Sequence, residues 1–105
     1  MNCIFCKIIN KEILSDIVYE DDSVIAIKDI NPKAPVHLLI IPKKHIPSVN
    51  YLGVEDKTLM GKIILTAKKI AKEKKLRGYK LVINVGREAG QLIDHLHLHL
   101  LSGKY

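Results

Sequence analysis

The run from Asp94 to Leu101, in which histidine and leucine alternate, constrains this chain more than any other stretch. Successive side chains of a β-strand point to opposite faces of a sheet, so the alternation predicts a strand. His95, His97 and His99 would then form a row on one face with about 6–7 Å between neighbours, and the leucines would lie on the other. A helix would instead distribute the imidazoles around its axis.

Three uses are open to such a row of histidines. Imidazole nitrogens bind transition metals. Neutral imidazole is also a nucleophile and a base near neutral pH. The third use is a polar strand face that is simply hydrogen-bonded to its surroundings. An unbroken leucine face behind three histidines in register favours the first two.

The bulk properties indicate one small folded domain, which we predict to span residues 1–105. Hydrophobic residues make up 48% of the chain, too many for a disordered one, and no apolar run is long enough to cross a membrane. The stretch Met1–Lys7 lacks the basic-then-apolar pattern of a signal peptide. We therefore expect a cytoplasmic protein with no membrane partner, whose cysteines are metal-bound or free rather than disulfide-bonded.

The net charge of +6 suits an anionic partner such as a nucleotide phosphate. Many of the lysines, however, fall in one predicted helix from Val54 to Lys75, where they would line its solvent-exposed face. Aromatic residues make up only 5% of the chain, which leaves few rings for base stacking. These observations argue against nucleic acid as a partner.

The pattern along the whole chain predicts an α+β fold. A short helix is expected over Cys3–Lys11 and a long one over Val54–Lys75, closed by Gly78. The buried stripe of the long helix is predicted to be Leu59, Ile63, Ala67, Ile70 and Ala71. Strands are expected over 17–20, 24–29, 36–41, 79–84 and the histidine run. This gives an antiparallel sheet of about five strands with one long helix across it, and His37 beside the histidine row.

Several motifs, in order, resemble the histidine triad (HIT) family. Gly90-Gln91 precedes the run His95 to Leu101, which is similar to the family pattern His-φ-His-φ-His-φ-φ, where φ is apolar. Upstream, the matching segments are Ile4–Ile9, Tyr19–Asp21, Asp29–Ile30, Ala34–His37 and Ile41–Ile46. The resemblance covers nearly the whole chain, is closest to the nucleotide-binding, phosphoramidase-like branch, and implies the HIT fold.

The resemblance implies a hydrolase of purine nucleoside phosphoramidates or related nucleoside phosphates, acting through a covalent nucleotidyl-histidine. His97 matches the nucleophile of the family, and His99 and His37 match positions that contact phosphate or orient the nucleophile. Neutral imidazole suits this role, because it attacks an anionic phosphoryl group and then leaves readily, dividing the reaction into two steps. Two alternatives stay open: a non-catalytic nucleotide sensor with the same pocket, and a dinucleoside polyphosphate hydrolase.

The resemblance also implies a binding site for a purine nucleotide. Asp29 matches the residue that accepts hydrogen bonds from the ribose hydroxyls. The matching apolar walls around the base are Ile4, Phe5, Ile8, Ile27 and Ile30, which by pattern alone would be core. Asn84, Gly90 and Gln91 match positions near the phosphate, and amides from Gly86 to Gln91 are expected to cradle it. Leu92 stands where several members carry Ser, so a departing amine would rely on water for its proton.

The pair Cys3-x-x-Cys6 is by itself a weak signal. It fits a redox pair, half of a zinc site or an incidental spacing, and no βαβ context follows to support the redox interpretation. The resemblance implies a structural Zn2+ site formed by Cys3, Cys6, His45 and His95. A catalytic metal held by the whole histidine row is the rival. The resemblance further implies a homodimer with a pocket on each subunit, which would also cover sheet edges.

Overall fold

The computed structural model describes residues 3–103, which form a five-stranded antiparallel sheet with a helix on each face. The helices are α1 (Ile4–Ile9) and α2 (Lys57–Glu73), and the strands are β1 (Ile17–Glu20), β2 (Val24–Lys28), β3 (Val36–Pro42), β4 (Lys80–Val82) and β5 (Leu98–Ser102). The single domain over residues 1–105 stays a prediction, because two residues at each end lie outside the described range.

The strand order is β1-β2-β3-β5-β4, and every neighbouring pair is antiparallel. The central strand β3 carries His37, and its neighbour β5 carries His99. The predicted α+β fold, with His37 beside the histidine row, is therefore confirmed. Within the described residues no helix is long and apolar enough to span a membrane.

Alternation along the strands divides the core between the two faces of the sheet. Leu38 and Ile40 of β3 pack with the α2 face, whereas Leu39 and Ile41 pack with the α1 face. The leucines of the histidine run join the α2 core, since Leu96, Leu98 and Leu100 are all buried there. The predicted division into a leucine face and a histidine face is thus confirmed.

The long helix buries most of the predicted stripe, but it ends differently from the prediction. Its first turn, Val54–Asp56, is a 3-10 turn that precedes α2. At the other end Lys75 adopts a left-handed conformation with φ 58°. The amides of Lys75 and Leu76 donate to the carbonyls of Lys72 and Ala71 at 3.0 and 2.9 Å, the Schellman arrangement. The prediction that Gly78 closes the helix is wrong, because these two hydrogen bonds end it three residues earlier.

The histidine strand also begins later than predicted. β5 starts at Leu98, so the strand prediction is wrong for residues 94–97. The pairing of β3 with β5 ends at Ile40 and Leu98, and Pro42 lies two residues further along β3, where it has no N–H to donate to a ladder. The amide of Leu96 instead donates to the carbonyl of Ile46 at 2.7 Å. His95 and His97 therefore lie in a segment that diverges from β3.

The short elements differ from prediction at their ends. α1 begins after Cys3 because Cys3 is its cap, with Sγ accepting from the amide of Cys6 at 3.4 Å. The helix ends at Ile9, and Lys11 follows it in a left-handed conformation with φ 64°. β4 covers only Lys80–Val82, the three residues that pair with β5.

Candidate active site and metal cluster

A cavity of about 630 Å³ lies against the histidine face of the sheet and is of the size that binds small molecules. Its wall contains nearly every residue that the sequence predicts for catalysis and nucleotide binding. Those residues are Ile4, Phe5, Ile8, Ile27, Asp29, Ile30, His37, Asn84, Gly90, His97 and His99. The structure therefore brings together residues from five separate motifs, and Gln91 is the one predicted binding residue outside the wall.

His97 is held as one defined tautomer. Its Nδ1 lies 2.7 Å from the carbonyl oxygen of His95, and because a carbonyl only accepts, Nδ1 carries the proton and donates it. Nε2 is then left with the lone pair. Burial lowers the pKa of His97, so the ring is neutral at pH 7. The residue thus offers a neutral nitrogen nucleophile in the wall of the cavity.

His99 contributes a buried ring nitrogen to the same site. Its Nδ1 lies 2.9 Å from Nε2 of His37, and its own Nε2 is buried and has no partner among the described residues. Burial, assisted by the neighbouring His97 and His37, lowers the pKa of His99 to about 4. A buried polar group without a partner costs about 1–3 kcal/mol, which an acceptor in the cavity would offset.

Asp29 lies at the mouth of the same cavity. One carboxylate oxygen accepts from the amide of Asn31 at 2.8 Å, and the other lies 3.3 Å from Nε2 of His37. A carboxylate has about four acceptor sites in total, so lone pairs remain for two hydroxyl groups of a ligand. The side chain is partly exposed, which leaves it within reach of a molecule in the cavity.

The apolar wall of the cavity combines buried and exposed residues. Phe5, Ile8 and Ile27 are buried in the core beneath α1, so they serve the core and the wall together. In contrast Ile30 is 86% exposed and Leu14 is 97% exposed, although both line the cavity. A flat apolar ring would cover them. Sequence reasoning missed Leu14, because an isolated leucine in a loop gives no periodic signal.

The glycine loop is stabilised by hydrogen bonds between its own residues. Gly86 and Gly90 adopt φ values of 85° and 95°, a conformation that glycine tolerates best. The amides of residues 86, 89, 90 and 91 all donate within the loop, and phosphate binding by the loop amides stays a prediction. The buried Gln91 side chain accepts from Gly86 and donates to the carbonyls of Pro47 and Ile93, so its amide is fully engaged in the loop.

The four residues predicted to bind zinc form a second cluster. The nearest ligand atoms of Cys3, Cys6, His45 and His95 all lie within 4.8 Å of one another. The two Nδ1 atoms are 3.1 Å apart, and the sulfur-to-Nδ1 distances are 3.2, 3.3 and 3.6 Å. Tetrahedral zinc with bonds of ~2.0–2.1 Å to nitrogen and ~2.3 Å to sulfur spaces its ligand atoms about 3.3–3.8 Å apart.

The hydrogen bond of His95 supports metal binding at this cluster. Its Nε2 lies 2.8 Å from the carbonyl oxygen of Pro42, so Nε2 carries the proton and Nδ1 keeps its lone pair toward the cluster. Two thiols and two imidazole nitrogens converging on one point are the donor set of a closed structural zinc site. The residues present therefore fit a metal ion.

The cysteine–histidine cluster and the large cavity are adjacent and are connected through His95, but they share no residue. None of the four cluster residues lines the 630 Å³ cavity, although Cys3 and His45 line a smaller neighbouring one of about 350 Å³. The side chain of His95 belongs to the cluster, and its carbonyl oxygen accepts the hydrogen bond from Nδ1–H of His97. Phe5 also contacts both rings, with centroids 5.8 Å from His95 and 5.1 Å from His97.

Comparison with known protein sequences gives matches that cover nearly the whole chain. The family model described as "Scavenger mRNA decapping enzyme C-term binding" matches residues 2–105. The purine nucleoside phosphoramidase of Escherichia coli K12 is 48% identical over 103 residues, which cover 96% of this chain and 87% of that protein. An uncharacterised HIT-like protein of Synechocystis is 50% identical over 102 residues, covering 96% of this chain and 90% of that protein.

Solved structures match the fold closely. A HIT family hydrolase from Legionella pneumophila superimposes with a TM-score of 0.97 at 48% identity, covering 99% of this chain and 95% of that one. A histidine triad protein from Clostridium difficile gives 0.96 at 46% identity, covering 100% and 93%. The fold implied by the sequence motifs is confirmed by these matches.

Proposed function

Because this chain belongs to the histidine triad family and is a HIT-type hydrolase, we propose that it hydrolyses purine nucleoside phosphoramidates or related nucleoside phosphates through a nucleotidyl intermediate on His97. The observation that carries the proposal is the tautomer of His97, whose Nδ1–H is held by the His95 carbonyl and whose Nε2 keeps its lone pair. The phosphoramidase activity of the E. coli relative supports the choice of substrate.

In the first step Nε2 of His97 attacks the α-phosphorus, and the bond from phosphorus to the leaving nitrogen breaks. The carbonyl of His95 stabilises the positive charge that develops on the ring, because it accepts the Nδ1–H at 2.7 Å. The buried Nε2–H of His99 donates to a phosphoryl oxygen, and this relieves its unpartnered state. The departing amine takes a proton from water, because the side chain of Leu92 at the cavity wall has no proton to donate.

In the second step water attacks the same phosphorus, the bond to Nε2 of His97 breaks, and the proton lost by the attacking water returns to the solvent that protonated the amine. The products are a nucleoside monophosphate and the free imidazole. Asp29 accepts from the ribose hydroxyls throughout, and the apolar wall around Phe5 and Ile30 covers the purine. Binding the parts of the substrate that do not react holds the phosphorus near His97, which lowers the entropic cost of both steps.

The metal of the cysteine–histidine cluster is proposed to be Zn2+ in a structural role. A site closed by four protein ligands has no open position for substrate, and none of its ligands lines the large cavity. The ion would bind α1, through Cys3 and Cys6, to the segment that carries His97. We do not assign any step of the reaction to it.

A homodimer is proposed, with β4 as the strand that pairs between subunits. The opposite edge strand β1 is irregular between Ile17 and Tyr19, and its Glu20 forms ion pairs with Lys11 and Lys43 at 2.6 and 2.8 Å. Bulges and charged side chains protect a sheet edge from pairing, so β4 is the better edge for association. Cytoplasmic location and the absence of nucleic-acid and membrane partners stay predictions.

The test is turnover of an adenosine phosphoramidate with intact-mass detection of the protein. The wild-type protein should hydrolyse the substrate and accumulate a nucleotidyl adduct on rapid quenching. His97→Ala should form no adduct and lose turnover while it still binds a nucleoside monophosphate. Hydrolysis by His97→Ala at a rate near that of the wild type would disprove the nucleophile, and nucleotide binding without any turnover by the wild type would favour the sensor.

A second experiment, in which a chelator removes the metal, distinguishes a structural metal from a catalytic one. With a structural metal, brief chelation at room temperature should lower thermal stability more than initial turnover. Complete loss of turnover with the fold retained, as judged by circular dichroism, would instead place the metal in the reaction.

A further inference from the structure

The described residues contain two clusters of potential metal ligands. In each cluster one histidine has a ring nitrogen that points away from the other ligands, and these two nitrogens face opposite kinds of main-chain group, an acceptor in one cluster and a donor in the other. The first is the cysteine–histidine cluster, and the second consists of Asp29, His37 and His99, whose ligand atoms also lie within 4.8 Å of one another. In the first cluster this nitrogen is Nε2 of His95, which faces the carbonyl oxygen of Pro42. In the second, the outward nitrogen of His37 faces a backbone N–H, that of Lys33, at 3.0 Å.

This difference decides where the proton of His37 lies. The Lys33 amide can only donate, so Nδ1 of His37 must present a lone pair to it. The neutral ring then carries its proton on Nε2. Nε2 is also the atom that a metal would use, since it lies 3.3 Å from Asp29 and 2.9 Å from Nδ1 of His99. The proton occupies the position in which a metal ion would need a lone pair.

The position of the proton on His37 determines the position of the proton on His99. Because Nε2 of His37 carries a proton and no lone pair, the facing Nδ1 of His99 must accept. A neutral His99 therefore carries its proton on Nε2, the buried atom without a partner in the described structure. Each ring thus fixes the tautomer of the next, starting from one main-chain group in the loop before β3.

We propose that the Lys33 amide is a positioning group that selects these tautomers, so that His99 donates to the phosphoryl oxygen and the second cluster rejects divalent transition metals. Pro32 and Pro35 flank the segment, and proline restricts backbone φ, which holds the amide in place. The Lys33 side chain has no part in this role. The effect on rate rests on the proposed function, whereas the tautomers and the metal rejection do not.

Nitrogen-15 NMR of histidine-labelled, zinc-loaded wild-type protein tests the tautomers directly. We expect His37 to show an unprotonated Nδ1 and a protonated Nε2 near neutral pH, and His99 to show the same pattern. A protonated Nδ1 on His37 would overturn the proposal. This measurement needs no substrate, so it stays decisive even if the wild type fails to hydrolyse phosphoramidates and the proposed function falls.

Two variants at one position separate the main chain from the side chain. Lys33→Pro removes the N–H, and Lys33→Ala keeps it as the matched control. With the first cluster loaded, added Zn2+ should broaden the His37 and His99 signals of Lys33→Pro at concentrations about 10-fold or more below those needed for Lys33→Ala, the scale of outer-shell effects on metal affinity.

The turnover rates of the same two variants test the proposal independently. Lys33→Pro should have a kcat about 10-fold or more below that of Lys33→Ala, which keeps the N–H, with a small difference in KM, since binding through Asp29 and the apolar wall is retained. Equal zinc responses and equal kcat values for the two variants would overturn the proposal. If Lys33→Pro does not fold, the wild-type tautomers decide.

Discussion

At the scale of single residues, main-chain groups determine what three of the histidines can do. His97 donates to the His95 carbonyl, His95 donates to the Pro42 carbonyl, and His37 accepts from the Lys33 amide. The sequence predicted which histidines take part, because their alternation and the motif order are visible in it. It carried no signal for these partners, since main-chain N–H and C=O groups are the same at every position other than proline.

The lowered pKa of His99 predicts how stability depends on pH. The value of about 4 in the folded protein lies below the ordinary 6.5, so the unfolded chain binds more protons between those values. The free energy of unfolding should therefore fall as pH decreases from 6.5 to 4, by up to about 3 kcal/mol from this residue. Urea unfolding of the wild type and of His99→Gln at several pH values measures it.

His99→Gln is the control for that decline, because glutamine does not titrate. The variant should lose stability less steeply over the same pH interval, whatever its absolute stability. Parallel curves for the two proteins would contradict the assignment of the buried neutral state to His99.

Asp29 gives a prediction about ribose recognition. Asp29→Asn should weaken ribonucleotide binding by about 1–3 kcal/mol, since it removes a charged acceptor from hydrogen bonds with hydroxyl groups. Calorimetric titration with adenosine monophosphate measures the loss. A 2′,3′-dideoxy nucleotide is the control, and an equal loss for that ligand would show that Asp29 does not contact the ribose.

At the scale of helices and strands, the sequence predicted what periodicity determines. The two faces of the sheet and the stripe of α2 follow from steps of two, three and four residues, and the structure confirms them. The start of β5 depends on where its pairing with β3 ends, close to Pro42, a residue more than fifty positions earlier that has no N–H to donate to the ladder. Such a long-range effect leaves no mark on the local pattern of residues 94–97.

The end of α2 allows a direct comparison of neighbouring positions. Lys75 has φ 58°, which disfavours any side chain, whereas Lys74 has φ −84°. Lys75→Gly should raise the free energy of unfolding by about 0.5–1 kcal/mol, because glycine has no Cβ to clash in the left-handed conformation. Lys74→Gly should lower it by a similar amount. Chemical denaturation measures both, and destabilisation by Lys75→Gly would contradict the explanation.

The short helix α1 predicts the effect of metal removal. A helix of six residues is marginal alone, so we expect its position to depend on the proposed metal ligands Cys3 and Cys6 and on the buried Phe5. The double variant Cys3→Ser with Cys6→Ser should lose the metal and lower Tm sharply, while turnover at room temperature is partly retained. Elemental analysis of the wild type should give a single zinc ion per chain, and metal-free protein with an unchanged Tm would refute the structural role.

At the scale of the whole molecule, the two edges of the sheet predict how subunits associate. Leu81 on β4 and Ile17 on β1 are comparably exposed, at 37% and 41%. Leu81→Glu should shift a dimer toward monomer, because it places a charge on the edge proposed to pair, whereas Ile17→Glu should not. Sedimentation velocity at micromolar concentration measures both. Dissociation by Ile17→Glu alone would place the interface at the other edge.

The contact between Cys3 and His95 joins points that are 92 residues apart in the chain. With a metal bound, this contact closes nearly the entire polypeptide into a ring, so a cut in the loop between α2 and β4 would not release either piece. The ion and the strand pairing of β3 with β5 would hold the two fragments together. A protein nicked in that loop should therefore co-elute as one species when metal-loaded, and separate at lower denaturant concentration after chelation.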